Sequence, residues 1–197
     1  IESEVALTDQ TVASWDGILA ATTLSAGDIA VIGINVDGTA KANVWAFVAL
    51  VDIGSGTQIH FTDAGFDGSI SSGNKFYVNS GNEGHMSWTL ASDVTAGKVF
   101  YVTNNSGSNA TIRDISGNVQ SGVTGSLGGS SSDFGGSGDQ IFVYQGTSGT
   151  TVSATFIYGL DTGQSTNYSG GNGTWVTSSS IASQFTSYQP TGLVSGT

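Results

Sequence analysis

The chain has 197 residues with four basic and fifteen acidic side chains, a formal charge of −11 that disfavours nucleic acid and anionic membrane surfaces as partners. With no cysteine it excludes disulfides, thiolate metal sites and cysteine catalysis. Thirty glycines and one proline accompany 38 % hydrophobic and 10 % aromatic residues, a balance that folds and that favours many short strands joined by turns in a single domain.

Residues 1–23 form an N-terminal arm or edge strand, moderately apolar through Val5, Leu7, Val12, Trp15, Ile18 and Leu19. The remainder, 24–197, is predicted to be one β-sandwich domain. Asp28 to Asn35 (DIAVIGIN) and Val44 to Asp52 are continuous apolar runs, as in strands covered on both faces. Gly54-Ser55-Gly56 turns the chain into TQIHFT (57–62), where Ile59 and Phe61 alternate with His60 and Thr62, the period of a strand with one wet face. HMSWTL (85–90), KVFYVT (98–103), QIFVYQ (140–145), ATFIYG (154–159) and TWVT (174–177) repeat the β-branched and aromatic theme between Gly, Ser, Asn and Asp clusters. Residues 104–139 and 161–173 read as long Gly/Ser/Asn loops. Helical periodicity is confined to a turn or two at 180–187. Strands without βαβ alternation predict an all-β, antiparallel β-sandwich, with a closed barrel as the alternative.

No stretch of 18 apolar residues is present, so no helical span and no membrane insertion are expected. The start at Ile1, without a basic or apolar leader, fits a shortened chain or one processed after export, and the second is the expectation taken here.

Laid out in order, LSAGDIAVIGINVDG (24–38), WAFVALVDIGSGTQIHFTDAGF (45–66), SWTLASDVTAGKVFYVT (87–103) and SGDQIFVYQG (137–146) resemble a module of large secreted and cell-surface bacterial proteins. In layout that module is similar to the lamin-tail, immunoglobulin-like β-sandwich. The resemblance covers roughly residues 24–160 and implies an extracellular accessory role without catalytic residues. The chain departs from the pattern at Phe66, where Trp is commoner, and at its end, GLVSGT, where a further strand is usual. Either the chain is shortened there, or a closing strand is expected to come from elsewhere.

Chemistry is sparse. The chain has no G-x-S-x-G, H-E-x-x-H, G-x-G-x-x-G or P-loop motif. His60 falls on the polar face of its strand and His85 at a strand start, and neither is expected to act as a base. Calcium favours loop carboxylates and carbonyls. Its candidate ligands are Asp63 and Asp67 in TDAGFDGS and Asp37 in NVDGT, with Asp114 and Asn118 of RDISGN as a further pair. Each sits where an Asx turn would also place an aspartate. A glycan is a candidate ligand through Trp15, Trp88, Trp175 or Tyr168, whereas Trp45 lies inside an apolar run and belongs to the core. Three lysines, one arginine and one proline leave sheet edges thinly protected. The sequence therefore predicts a non-enzymatic extracellular protein of structural or adhesive role, a homo-oligomer joined through the N-terminal arm or the sheet edges into a filament or surface layer. The alternative is a carbohydrate-binding or calcium-stabilised accessory module.

Overall fold

The computed structural model describes residues 19–35, 44–67, 74–76, 83–103, 109–127, 139–148, 151–162, 175 and 187–194. Among the described residues twelve strands follow one another: β1 Ile29–Ile34, β2 Val44–Ala49, β3 Gln58–Thr62, β4 Phe66–Asp67, β5 Asn74–Phe76, β6 His85–Thr89, β7 Val99–Thr103, β8 Thr111–Asp114, β9 Val123–Ser126, β10 Gln140–Gly146, β11 Thr151–Val152 and β12 Ala154–Asp161. They form a four-stranded sheet in the order β1-β2-β7-β8, a five-stranded sheet β12-β10-β3-β6-β9, and a small sheet β11-β5-β4. All pairings are antiparallel. The two large sheets pack face to face as a β-sandwich and do not close into a barrel.

Period-2 alternation decides what goes between them. From the four-stranded sheet, Trp45, Phe47, Phe100, Val102 and Ile112 point inward; from the five-stranded sheet, Ile59, Phe61, Met86, Trp88, Ile141 and Val143 meet them. Phe47 lies at the centre, with its ring 5.5 Å from Trp45, 5.3 Å from Phe61, 6.1 Å from Trp88 and 5.4 Å from Phe100. Tilted and edge-on rings at such spacings add about 0.5–1.5 kcal/mol per pair to simple burial.

A second apolar cluster occupies the other face of the five-stranded sheet. Phe142, Tyr144 and Phe156 project outward from β10 and β12, and Ala64, Phe66 and Phe76 cover them from the β3–β4 turn and the small sheet. The five-stranded sheet is thus a middle layer, apolar on both faces along β10, where QIFVY is buried throughout.

Several expectations change here. β1 was expected to be covered on both faces, but it is an edge strand whose register shifts between Val31 and Gly33, leaving Ile32 56 % exposed. The 104–139 region is not merely a loop, since it holds β8 and β9. These short strands escape detection because TIRD and VTGS lack an apolar run, and pairing with β7 and β6 forms them. The 161–173 loop, the TWVT strand apart from Trp175, and the helical turn at 180–187 apart from Ser187 lie almost wholly outside the described residues.

Edge protection comes from geometry rather than from lysine. The β1 bulge disrupts one edge. The Gly27 N–H donates to Ile157 O at 2.9 Å, and on the opposite side the Ala110 N–H donates to Gly125 O at 2.8 Å, joining the two sheets laterally. The Gln120 N–H reaches Ile112 O at 2.8 Å and covers part of β8.

Candidate functional site

Two ends of the sandwich concentrate polar groups. At one end, residues 19–24 lie across the β2–β3 and β6–β7 loops. The Leu19 N–H donates to Asp93 Oδ2 at 3.0 Å and the Ser55 N–H to Asp93 Oδ1 at 2.7 Å; these bonds, the Leu19 amide foremost, hold the Asp93 carboxyl below its ordinary value. The Thr22 N–H donates to Thr57 Oγ1 at 2.7 Å, and the Leu24 N–H donates to Gln145 Oε1 at 2.7 Å. Gly54 permits the approach: a Cβ there would stand 2.1 Å from Ala20 O. Leu24 is buried in the main core. This part of the predicted arm is built onto its own domain, and residues 1–18 lie outside the described residues.

At the opposite end, three carboxylates converge. Asp63, in the turn after β3, accepts the Gly84 N–H on Oδ1 at 2.8 Å, and the Gln140 Nε2 amide donates to Asp63 O. Asp139 accepts the Gln140 N–H on Oδ1 at 2.8 Å, while its own N–H donates to Thr162 Oγ1 at 3.0 Å. Glu83 completes the group. Its Oε2 is buried with no hydrogen-bond partner among the described residues. Burial first, then the charges of Asp63 and Asp139, push its carboxyl up to about 10, so Glu83 carries its proton at neutral pH. Protonation relieves a like-charge cluster that low-dielectric surroundings would otherwise make costly.

The candidate calcium ligands fall at different places, as far as the described residues reach. Asp63 faces Glu83 and Asp139, Asp67 lies on β4 opposite Lys75, and Asp37 is outside the described residues. Among the described residues no group of three or more His, Asp or Glu side chains is placed to hold a metal ion. Asp114 caps its own turn: Oδ1 accepts the Ser116 and Asn118 N–H groups at 2.9 Å each, and Oδ2 accepts the Asn118 amide at 3.0 Å.

Between the ends, the outer face of β3, β6 and β10 carries both histidines. His60 Nε2 lies 3.0 Å from Gly146 O, which can only accept, so this nitrogen carries the proton and Nδ1 accepts the Ser87 hydroxyl at 2.7 Å. Burial lowers the His60 pKa and keeps the ring neutral. His85 Nδ1 lies 3.3 Å from the Tyr144 hydroxyl, and burial, then nearby His60, brings it down to about 4. Spacing in the chain gave no sign of the Ser87–His60 contact, because it joins neighbouring strands 27 residues apart. Chemically the pair satisfies two polar groups across β3 and β6. Ser87 sits within an interior strand whose backbone groups serve the ladders to β3 and β9, not an oxyanion.

The tryptophans divide similarly. Trp45 and Trp88 are core residues, Trp88 donating from Nε1 to Ser121 O at 3.1 Å. Trp175 is half-buried and stacks on Phe142 at 5.7 Å, whereas Trp15 and Tyr168 are outside the described residues. No protein-family model, curated protein or solved structure matches this chain.

Proposed function

We propose that this is a non-enzymatic extracellular scaffold protein, a subunit that assembles with copies of itself on or outside a bacterial cell. One observation carries the reading. The outer face of the four-stranded sheet is polar at its β8 side, with Thr103, Thr111 and Arg113, but over β1, β2 and most of β7 it bears apolar side chains where a solvated antiparallel face would alternate to polar ones. Val44, Ala46 and Val48 of β2, Val99 and Tyr101 of β7 and Ala30 of β1 lie on that face, half-buried, opposite the buried Trp45, Phe47 and Phe100. A strand apolar on both faces calls for a cover on both faces, and the described part of the domain packs only one. The cover proposed for the other is a neighbouring copy, with the apolar residues of the 1–18 arm contributing.

The anchoring of residues 19–24 suits this role. An arm bonded to Asp93, Thr57 and Gln145 passes load into the β6–β7 and β2–β3 loops and into β10 together rather than into one strand. The mechanism is passive: a rigid aromatic core, laterally joined sheets and a fixed point of attachment.

Deleting residues 1–18, which leaves the anchored 19–24 segment in place, is the test. Light scattering should show the full chain assembling and the shortened chain remaining monomeric at an unchanged melting temperature. Equal assembly of both chains would refute the role given to the arm. A full chain monomeric at all concentrations would refute the scaffold reading itself.

A further inference from the structure

We propose that residues 19–24 and the two loops that cross between the large sheets form a single latch, with Asp93 as the acceptor they share, so that seating the segment and closing the loops are one coupled event. The coupling lies within one chain and stands whether or not copies assemble.

The two loops match each other in sequence. The β2–β3 loop contains Asp52-Ile53-Gly54-Ser55-Gly56 and the β6–β7 loop Asp93-Val94-Thr95-Ala96-Gly97, each an aspartate, a β-branched residue, two further positions and a glycine. They run side by side because β2 pairs with β7 and β3 with β6. Their bonds come in matched pairs, as about a local two-fold axis. The Ile53 N–H donates to Val94 O and the Val94 N–H to Ile53 O, both at 2.8 Å. The Ala96 N–H donates to Asp52 Oδ1 and the Ser55 N–H to Asp93 Oδ1, each at 2.7 Å, so each aspartate caps the other loop rather than its own. The Gly56 N–H reaches Leu90 O and the Gly97 N–H reaches Ala49 O, again at 2.7 Å, with φ 79° at Gly56 and 84° at Gly97.

Residues 19–24 break this symmetry at one half only. Asp93 gives its second oxygen to the Leu19 N–H at 3.0 Å, whereas Asp52 bonds through Oδ1 alone among the described residues. Gly54 leaves room for the main chain of the segment, and its N–H donates to Thr22 Oγ1 at 2.9 Å. The Thr22 N–H donates in turn to Thr57 Oγ1 at 2.7 Å, and that hydroxyl donates to Gly54 O at 2.6 Å. The matching positions of the other loop hold Thr95 and Lys98, and Thr95 carries the Cβ that Gly54 lacks. One half of the pair is a seat for a chain; its twin is not.

Coupling follows from what unseating removes. The Asp93 carboxylate loses one of the two amide donors that fix its rotamer, and the Gly54 N–H loses its acceptor. With Asp93 free to turn, the Ser55 N–H loses its cap, and the β2–β3 loop loosens at the Ile53–Val94 pair that also holds the β6–β7 loop. Gln145 fastens the far end of the segment: its Oε1 accepts the Leu24 N–H at 2.7 Å and its Nε2 donates to Thr22 O at 3.0 Å. Leu24 is buried in the main core, so the segment seats as one piece against both loops.

Amide hydrogen exchange on the full-length chain, resolved to single residues, is the test. Leu19→Pro removes the N–H that Asp93 Oδ2 accepts. The expected result is exchange faster by about tenfold at Ile53, Ser55, Val94 and Ala96, the last capped by an aspartate that the substitution does not touch. Faster exchange confined to residues 20–24, or no change anywhere, would overturn the proposal. Asp93→Asn keeps one acceptor oxygen where two donors need one each, and should speed the same four amides. Asp52→Asn keeps the single acceptor that Ala96 uses and should leave them unchanged; equal effects of the two would count against Asp93 as the shared group. In L19P/D93N the asparagine oxygen serves Ser55 alone, so the double variant should exchange no faster than L19P, whereas effects that multiply would refute a shared acceptor. Should Leu19→Pro not fold, Thr22→Val, which removes the hydroxyl that the Gly54 N–H meets, carries the same expectation and the same refutation.

Discussion

Glu83 offers the sharpest handle on the folded state. Its folded pKa, about 10, lies far above the ordinary 4.5. The folded chain therefore holds one more proton than the unfolded chain between those values, and stability from this group is complete below pH 4.5 and declines as pH rises towards 10. His85 works in the opposite sense. With a folded pKa of about 4 against an ordinary 6.5, it loses stability as pH falls from 6.5 to 4. The two oppose each other between pH 4.5 and 6.5, and above 6.5 Glu83 acts alone. Each pH interval of one there costs about 1.4 kcal/mol, so between pH 6.5 and 9 the protein should lose about 3 kcal/mol. At about 2–4 °C per kcal/mol for a chain of this size, that is a fall in Tm of about 6–12 °C. Glu83→Gln keeps the shape and removes the titration. It should raise stability at pH 8 and flatten the profile, read by urea or thermal melts across pH 6.5–9 in one ionic strength. Parallel profiles for E83Q and the unaltered chain would refute the reasoning, since the loss could not then come from this carboxyl.

Three further outcomes are expected. Phe47→Ala leaves a cavity amid four aromatic rings and should cost about 3–5 kcal/mol in chemical denaturation, whereas a loss below about 1 kcal/mol would mean that the site is not the packed centre. Gly54→Ala drives a methyl into Ala20 O, so limited proteolysis read by mass spectrometry should show faster cleavage within residues 19–24 while the sheets persist. Val48→Lys, on the half-buried outer face of β2, should reduce light-scattering assembly and shift Tm by less than a few degrees; unchanged assembly would remove that face from the interface.

Strand identity was legible in the chain because its signal is local. VWAFVALV, QIHFT, VFYVT and QIFVY carry their β-branched and aromatic residues within a few positions, and the turns between them hold the Gly, Asn and Asp that reversals need. Ile59 and Phe61 face the main core and His60 the other way, as alternation requires. TIRD and VTGS carried no such signal, and only their neighbours make them strands. The candidate site was legible only in part. Asp63 could be singled out from its loop, but its companions could not, because Glu83 is 20 positions later and Asp139 a further 56. Ser87 with His60, and Tyr144 with His85, are likewise products of strand order.

By itself the sequence determined an all-β chain, which residues alternate, and a surface charge unfit for polyanions. Periodicity of two says which side chains share a face, but not which face lies innermost or what covers the other. The tertiary structure decided that β1 is an edge, that β10 is buried on both sides, and that Glu83 meets two aspartates where burial keeps it protonated. Those outcomes depend on pairings between segments distant in the chain, whose contacts no short window of residues encodes.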